Sequence, residues 1–445
     1  MRSKYGKTFK FYIGLDMNVM LCEPARIDQI FNSTVIINKS KYYDMLKPWL
    51  GDGLLISGGK KWKQRRKLIT PSFHFKILEN FVNVFNSAGG VLIDQLSKEV
   101  GKESVDIYEI LNLYTLDVIC ETAMGVQINA QTEKFTPYAT AVRKFCEMVV
   151  YRVFHPLGWN DTVFRMFSSE YKSYNESVTL LHDVTRKVIK TRKALYANQA
   201  SDNNREDDFG RKKTFALLDL LLTTADAKDL TDEDIEEEIN TFIFEGHDTT
   251  SAALAFILYE LSKNSSVQSK LYEEIIEHFG HTMTSNLTIK DISDLKYLDM
   301  VCKEGLRMYP SVPFVMRKVE EEFVLDGITI PRDTILTVLI FMLHYDPDIY
   351  PNPEEFIPER FSVENQMKRG PYDYVPFSAG ARNCVGQKFA IYEIKTTIIK
   401  IIQKFEVLPA PDYKKVLGFM AVLKPKNGVE VRLKLRDNEH GIGSN

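Results

Sequence analysis

Apolar and polar positions give this chain two textures. Over residues 23–196 and again over 215–307, apolar residues recur at intervals of three and four, the spacing of helices that bury one face. Turns at Gly51-Asp52-Gly53 and Gly58-Gly59 interrupt the first stretch. Residues 8–21 differ and read as two short strands around Gly14. Residues 312–343 are rich in β-branched side chains and carry Asp326-Gly327, a strong hairpin signal. Pro347, Pro351, Pro353 and Pro358 then make 346–361 an irregular meander. Helical spacing returns over 387–405, where Ala390, Ile394, Ile398, Ile401 and Phe405 share a face. Residues 200–213 are polar, charged and aperiodic, the pattern of a surface loop. The sum is a mainly α chain with a small, late β portion.

Composition narrows the picture. Of 445 residues, 44% are hydrophobic and 26% charged, which excludes a disordered chain. Basic and acidic residues number 57 and 60, so a net charge of -3 gives no global pull toward nucleic acid or membrane. The longest purely apolar run, residues 252–259, is far below the roughly 20 residues that span a bilayer. Met1-Arg2-Ser3-Lys4 leads into no apolar signal core. Cys22, Cys120, Cys146, Cys302 and Cys384 are scattered, with no C-x-x-C spacing. That argues against a disulfide framework or structural zinc site, and for a reducing compartment.

Cys384 stands apart. It lies in Pro376-Phe377-Ser378-Ala379-Gly380-Ala381-Arg382-Asn383-Cys384-Val385-Gly386, just ahead of the last helical stretch. A thiol there gains from the partial positive charge of a helix N-terminus, which favours the thiolate. Gly380 and Gly386 would let the backbone approach a flat ligand, and Arg382 would pair with a carboxylate on it. Taken alone, such a Cys reads more readily as a buried, inert thiol. A phosphate loop fails on spacing, since no Lys-Ser/Thr follows directly.

Three more patterns carry chemistry. Residues 238–263 read as a long helix with the polar centre Glu245-Gly246-His247-Asp248-Thr249-Thr250-Ser251. Glycine in a helix interior costs about 1 kcal/mol, and Thr hydroxyls bond back to the i−4 carbonyl and bend helices. A deformed reaction site and a solvent-facing polar patch both fit. Glu304 and Arg307 lie three apart on one helix face, a pair worth about 0.2–0.5 kcal/mol if exposed. Residues 60–67 hold six cations in eight, with Trp62 and Arg66 one turn apart. A solvated face and a nucleic-acid patch both fit that charge.

Together these segments resemble one family. Phe377, Gly380, Arg382, Cys384 and Gly386 match every fixed position of Phe-x-x-Gly-x-Arg-x-Cys-x-Gly, the signature of the haem-thiolate monooxygenases, the cytochrome P-450 superfamily. The proline common before the Arg is Ala381 here. The resemblance runs in order from about Tyr5 to about Leu433. It implies a mainly α cytochrome P-450 fold, with small β-sheets at one side. Haem b (iron protoporphyrin IX) would lie between the long helix and the Cys384 loop. Residues 1–445 would form a single catalytic domain, lacking the N-terminal membrane anchor and proline-rich hinge of this type. The absent anchor then reads as a lost start rather than as a soluble enzyme.

The resemblance also distributes roles. Cys384 would be the axial iron ligand, and Asp248 and Thr249 the catalytic acid–alcohol pair. Trp62, Arg66, Arg382 and, more loosely, Arg317 would hold haem propionates, with His247 a weak candidate for the haem pocket. Glu304, Arg307 and Arg360 would form a structural network pinning the meander. Residues 244–250, Trp49-Leu50-Gly51-Asp52-Gly53-Leu54-Leu55 and Phe73-His74-Phe75 are similar to family four. Many of its members carry a Glu at the place of Glu245 that esterifies a haem methyl, and many hydroxylate fatty acids near the terminal carbon. The implied activity is insertion of one oxygen atom from O2 into a hydrophobic substrate, such as a fatty acid or related long-chain lipid. Xenobiotic or terpenoid oxidation is the alternative. NADPH would supply electrons through an NADPH-cytochrome reductase docked by charge on the outward cations of the basic run. Cytochrome b5 is a second candidate donor, and the endoplasmic reticulum membrane, cytoplasmic face, the implied location; no nucleic acid is involved. A non-catalytic haem sensor is the alternative from another class, and the intact Asp248-Thr249 pair argues against it.

Overall fold

The computed structural model describes residues 2–133, 135–201, 217–223, 230–281 and 286–436. Strands Thr8–Ile13 and Asp16–Leu21 pair antiparallel, as their alternation predicts. Asp16–Leu21 also pairs in parallel with Ile335–Val338, and Val315–Lys318 completes a four-stranded sheet. The sheet thus joins the start of the chain to its late β portion. Asp326 and Gly327 take φ of 51° and 75°, the mirror-image turn a two-residue hairpin needs. Not all of 312–343 is extended, since Ile340–His344 is helical. Four further strands follow the last long helix: Phe405–Pro409, Leu417–Met420, Val422–Pro425 and Glu430–Leu435. Of the loop expected over 200–213, Ala200 and Ser201 belong to helix Tyr171–Ser201, and the rest lies outside the described residues.

The long helix is Asp232–Lys263, starting earlier than apolar spacing indicates. A capping box sets its start: the Thr231 hydroxyl accepts from the Asp234 N–H, and the Asp234 carboxylate from that of Thr231. Three acidic residues in its first turn complement the helix dipole. Residues 252–259 are buried on every side, as a helix apolar all round should be. The helix stays α-helical through its polar centre. Gly246 has a packing reason: a Cβ there would lie 2.5 Å from Ile119 Cγ1, on helix Ile107–Thr122.

Helix Gln387–Lys404, which follows the Cys384 loop, is buried all round from Glu393 to Gln403 rather than along one face. It packs against the long helix and against helix Phe75–Ser97, so its polar side chains are enclosed too. Among the described residues, no helix is long and apolar enough to cross a membrane.

Glu304 and Arg307 are fully buried, so the exposed-pair reading gives way. On helix Lys296–Met308, Arg307 Nε donates to Glu304 Oε2 at 2.7 Å and Nη2 to Oε1 at 2.9 Å. Arg360 Nε reaches the same Oε1 at 3.3 Å, and the Ile357 N–H does so at 3.0 Å. Arg307 also donates to the carbonyls of His344 and Glu355. One carboxylate and two guanidiniums therefore fasten the Pro-rich meander to the helical body.

Candidate active site

The long helix and the Cys384 loop face each other across a cavity. Glu245, Gly246, Thr249 and Thr250 form one wall, and Arg382, Cys384 and Gly386 the opposite one. Trp62 and Arg66 enter from the basic helix Gly59–Ile69. The Cys384 N–H donates to the Phe377 carbonyl at 3.0 Å, closing the loop. The thiol opens onto the cavity yet is enclosed by protein, and burial pushes it up to about 11. Glu245 acts in the same direction, and the Gly386 N–H and Arg66 in the other. Burial thus outweighs the expected helix-terminus effect, and a bound metal ion would be what deprotonates the thiol.

The two loop glycines differ. Gly380 has φ 68°, and a Cβ there would sit 1.9 Å from the Phe31 carbonyl oxygen. It serves the packing of the loop on its own chain, not ligand approach as expected. A Cβ on Gly386 meets only the Phe73 ring, at 3.8 Å. That position has room on the cavity side, as a closely approaching flat ligand requires.

On the helix wall, Thr249 Oγ1 donates to the Glu245 carbonyl at 2.7 Å, the expected back-bond. Burial pushes the Glu245 carboxyl up to about 7. Asp248 is buried but does not line the cavity; it pairs with Lys424 at 2.6 Å. His247 also turns away, with Nδ1 on the Ile243 carbonyl and its ring beside Tyr138.

Cations crowd the cavity without acids to match them. Burial lowers Lys39, and the nearby Arg317 and Arg382 lower it further. Burial and then Arg317 bring Arg382 down to about 9. Arg317 lies buried just behind the wall, its guanidinium held by the Met316 carbonyl at 3.3 Å. Arg382 stacks over the Trp62 ring and donates to the Leu54 and Ser57 carbonyls, while Arg66 donates to the carbonyl and side chain of Asn383. Among the described residues, none of these four cations is in an ion pair. Glu245 is the carboxylate that acts on Lys39, and it is pushed toward neutrality.

The rest of the basic run divides differently from expectation. Arg65 is buried and pairs with Asp234 at 2.6 Å, and Lys61 pairs with Glu237 at 2.8 Å. Lys60, Lys63 and Lys67 remain exposed. Of the other family-four residues, Phe73 lines the cavity and stacks on Phe242, whereas the Phe75 side chain lies outside the described residues. Lys39 escaped sequence reasoning; its signal was a single cation after the apolar Val35-Ile36-Ile37.

A second cavity, of about 1140 Å3, shares Lys39, Leu55, Glu245, Val312 and Val315 with the first. Phe11, Phe244, Leu339, Phe419 and Val422 make its walls predominantly apolar. The pair of cavities suits a flat dianionic ring beside an elongated apolar molecule. Unpaired cations would meet the carboxylates of such a ring, Cys384 would meet a central metal, and a hydroxyl-bearing helix forms the opposite wall. These features define a haem-thiolate site.

The comparison with known families agrees. The model described as Cytochrome P450 matches residues 1–433, and the chain belongs to that family. It is accordingly a haem monooxygenase, an oxidoreductase that works with a redox partner on a hydrophobic substrate. It is 41% identical over 440 residues to "Cytochrome P450 4d2" of Drosophila melanogaster, covering 97% of this chain and 87% of that one. It is 41% identical to human "Cytochrome P450 4V2", over 96% of this chain and 82% of the relative. "Cytochrome P450 4e5, mitochondrial" of Drosophila mettleri is 40% identical, over 97% and 88%. All three names carry the family-four number, as residues 244–250 implied.

Proposed function

We propose that this chain, as a single catalytic domain over residues 1–445, hydroxylates a fatty acid or related long-chain lipid near its terminal carbon. The observation that carries this reading is the predominantly apolar second cavity, which shares Glu245 with the cavity that Thr249 and Cys384 line. An elongated hydrocarbon gains about 0.8 kcal/mol per buried CH2 in such walls. Bound haem supplies the one-electron and dioxygen chemistry. Cys384 is the thiolate ligand whose donor strength favours O–O cleavage. Trp62, Arg66, Arg317, Arg382 and Lys39 hold the propionate edge. Thr249 would offer its hydroxyl from the helix wall, and Asp248, the acid beside it, would supply protons. The apolar walls exclude water.

The electron source in this reading is NADPH, through an NADPH-cytochrome reductase docked on Lys60, Lys63 and Lys67, with cytochrome b5 as a second donor. The location is the cytoplasmic face of the endoplasmic reticulum membrane. Glu245 forms an ester to a haem methyl. In that ester a C–O bond would replace a methyl C–H bond, and the bound haem would supply the two-electron oxidation.

Three experiments test this. In the reduced protein with carbon monoxide, ligation by Cys384 gives a strongly red-shifted Soret band, and a Soret band without that shift overturns it. In reconstituted turnover, a saturated fatty-acid series gives terminally hydroxylated products; product from terpenoids or xenobiotics alone overturns the lipid assignment. After turnover, denaturing chromatography retains haem on the wild-type chain and releases it from Glu245→Ala. Complete release from both sinks the ester.

A further inference from the structure

The hairpin Leu417–Met420 and Val422–Pro425 touches both cavity and long helix. Phe419, Ala421 and Val422 at its tip line the second cavity, where the Phe419 ring lies 4.4 Å from that of Phe314. Ala421 holds φ 63°, a left-handed conformation that costs a non-glycine residue. The strand leaving the tip is tied to the long helix twice. Leu423 N–H donates to the Ser311 carbonyl at 2.8 Å, and Ser311 Oγ donates to the Thr249 carbonyl at 2.8 Å. One residue on, Lys424 Nζ pairs with Asp248 at 2.6 Å, both side chains at most 3% exposed. The Asp248 side chain and the Thr249 backbone are therefore each linked to a strand whose tip lines the second cavity.

The surroundings leave Asp248 little else to bind. His247 Nδ1 is spent on the Ile243 carbonyl, and burial pushes Tyr138, Cys146 and Tyr108 up, keeping them neutral. Lys424 is thus the counter-charge of Asp248 among the described residues, and it comes from the hairpin.

We propose that Lys424 is a positioning residue that couples substrate contact to the acid. It holds the Asp248 carboxylate off the cavity wall, and a substrate seated against Phe419 and Val422 shifts the strand and frees the carboxylate for proton delivery. This rests on the reading of Asp248 as the proton-supplying acid. It adds the device that withholds the acid until substrate is present, so that reductant is not consumed without product.

The test is product formed per NADPH oxidised in the reconstituted holoenzyme. Lys424→Met is expected to lower that ratio about tenfold because NADPH is then oxidised without seated substrate, product formation staying within about twofold, and Lys424→Arg to keep more than half of the wild-type ratio. A Lys424→Met enzyme with wild-type coupling overturns the inference, as does an Arg variant no better than Met. Asp248→Asn separates the two levels. If it turns over normally, acid assignment and inference both fall. If it is crippled while Lys424→Met is normal, the inference alone falls. Should Lys424→Met fail to fold, hydrogen exchange on the wild-type protein decides. Substrate is expected to change exchange together at 417–425 and at the amides of 248–251, and a change confined to one segment overturns the coupling.

Discussion

Two clusters of buried charge in this molecule are built in opposite ways. Around Glu304, two guanidiniums and one backbone N–H converge on one carboxylate, and Arg307 also donates to two carbonyls. Around the cavity, Lys39, Arg66, Arg317 and Arg382 gather with one half-neutral acid, Glu245, among them. A folded chain does not leave charge uncompensated in its interior without cause. The satisfied cluster is therefore architecture, and the unsatisfied one is a binding site whose anion comes from outside the chain.

The largest effect that would sharpen this contrast is on the satisfied side. Glu304→Gln leaves two guanidiniums facing a neutral amide, at a cost of about 3–5 kcal/mol. Chemical denaturation of the haem-free protein should show that loss. A loss below about 1 kcal/mol would mean that the network is not what fastens the meander.

The two loop glycines give a smaller effect of the same kind. Gly380→Ala meets the Phe31 carbonyl and a positive φ, costing at least about 1–2 kcal/mol. Gly386→Ala, with ordinary φ and open space, should leave haem-free stability within about 0.5 kcal/mol, while lowering haem loading. Equal stability losses at both positions would remove the distinction between packing and ligand clearance.

Much of this was legible in the sequence, and the misses have physical causes. The motif around Cys384 fixed the cavity wall because turn glycines, a cation and a thiol at set spacing leave few alternatives. The Glu304 network was half legible: spacing showed the pair, but only burial distinguishes it from a surface pair. Composition misled over residues 60–67, since Arg65 and Lys61 are spent on acids of the long helix. The last four strands were missed because segments of four to six residues carry too little alternation. Lys39 and Lys424 were missed because lone lysines signal nothing until their neighbours in space are known.

A pH experiment probes the rim of the satisfied cluster. His344 Nε2 accepts from the Val375 N–H at 3.0 Å, while its carbonyl accepts from Arg307. Burial, and then Arg307, hold its imidazole down to about 3. The folded pKa lies below the unfolded value of roughly 6.5, so the unfolded chain binds the extra proton between the two. The contribution of His344 to stability is then complete above about pH 6.5. It is lost as pH falls toward 3. The slope is at most about 1.4 kcal/mol per pH unit. His344→Gln keeps an acceptor for Val375 and should flatten the dependence between pH 6.5 and 5. Parallel curves for the two proteins would show that His344 is not the group titrating there.

The smallest expected stability change tests the unsatisfied cluster most directly. Arg317 is buried behind the cavity wall with one carbonyl as its partner, and burial lowers its basicity. In the haem-free protein its charge is a cost, relieved by no ion pair among the described residues. Replacing a poorly compensated buried ion with an apolar side chain of similar length is often neutral or stabilising. Arg317→Met should therefore leave haem-free stability unchanged or slightly higher, within about 1 kcal/mol. In the loaded protein the sign reverses, because the propionate loses its partner and haem should pass several-fold faster to an acceptor protein. Arg307→Met inverts the pattern, with haem-free stability falling by several kcal/mol. If Arg317→Met instead destabilises the haem-free protein as strongly as Arg307→Met, the cavity cations are structural like those around Glu304, and the contrast between the two clusters is gone.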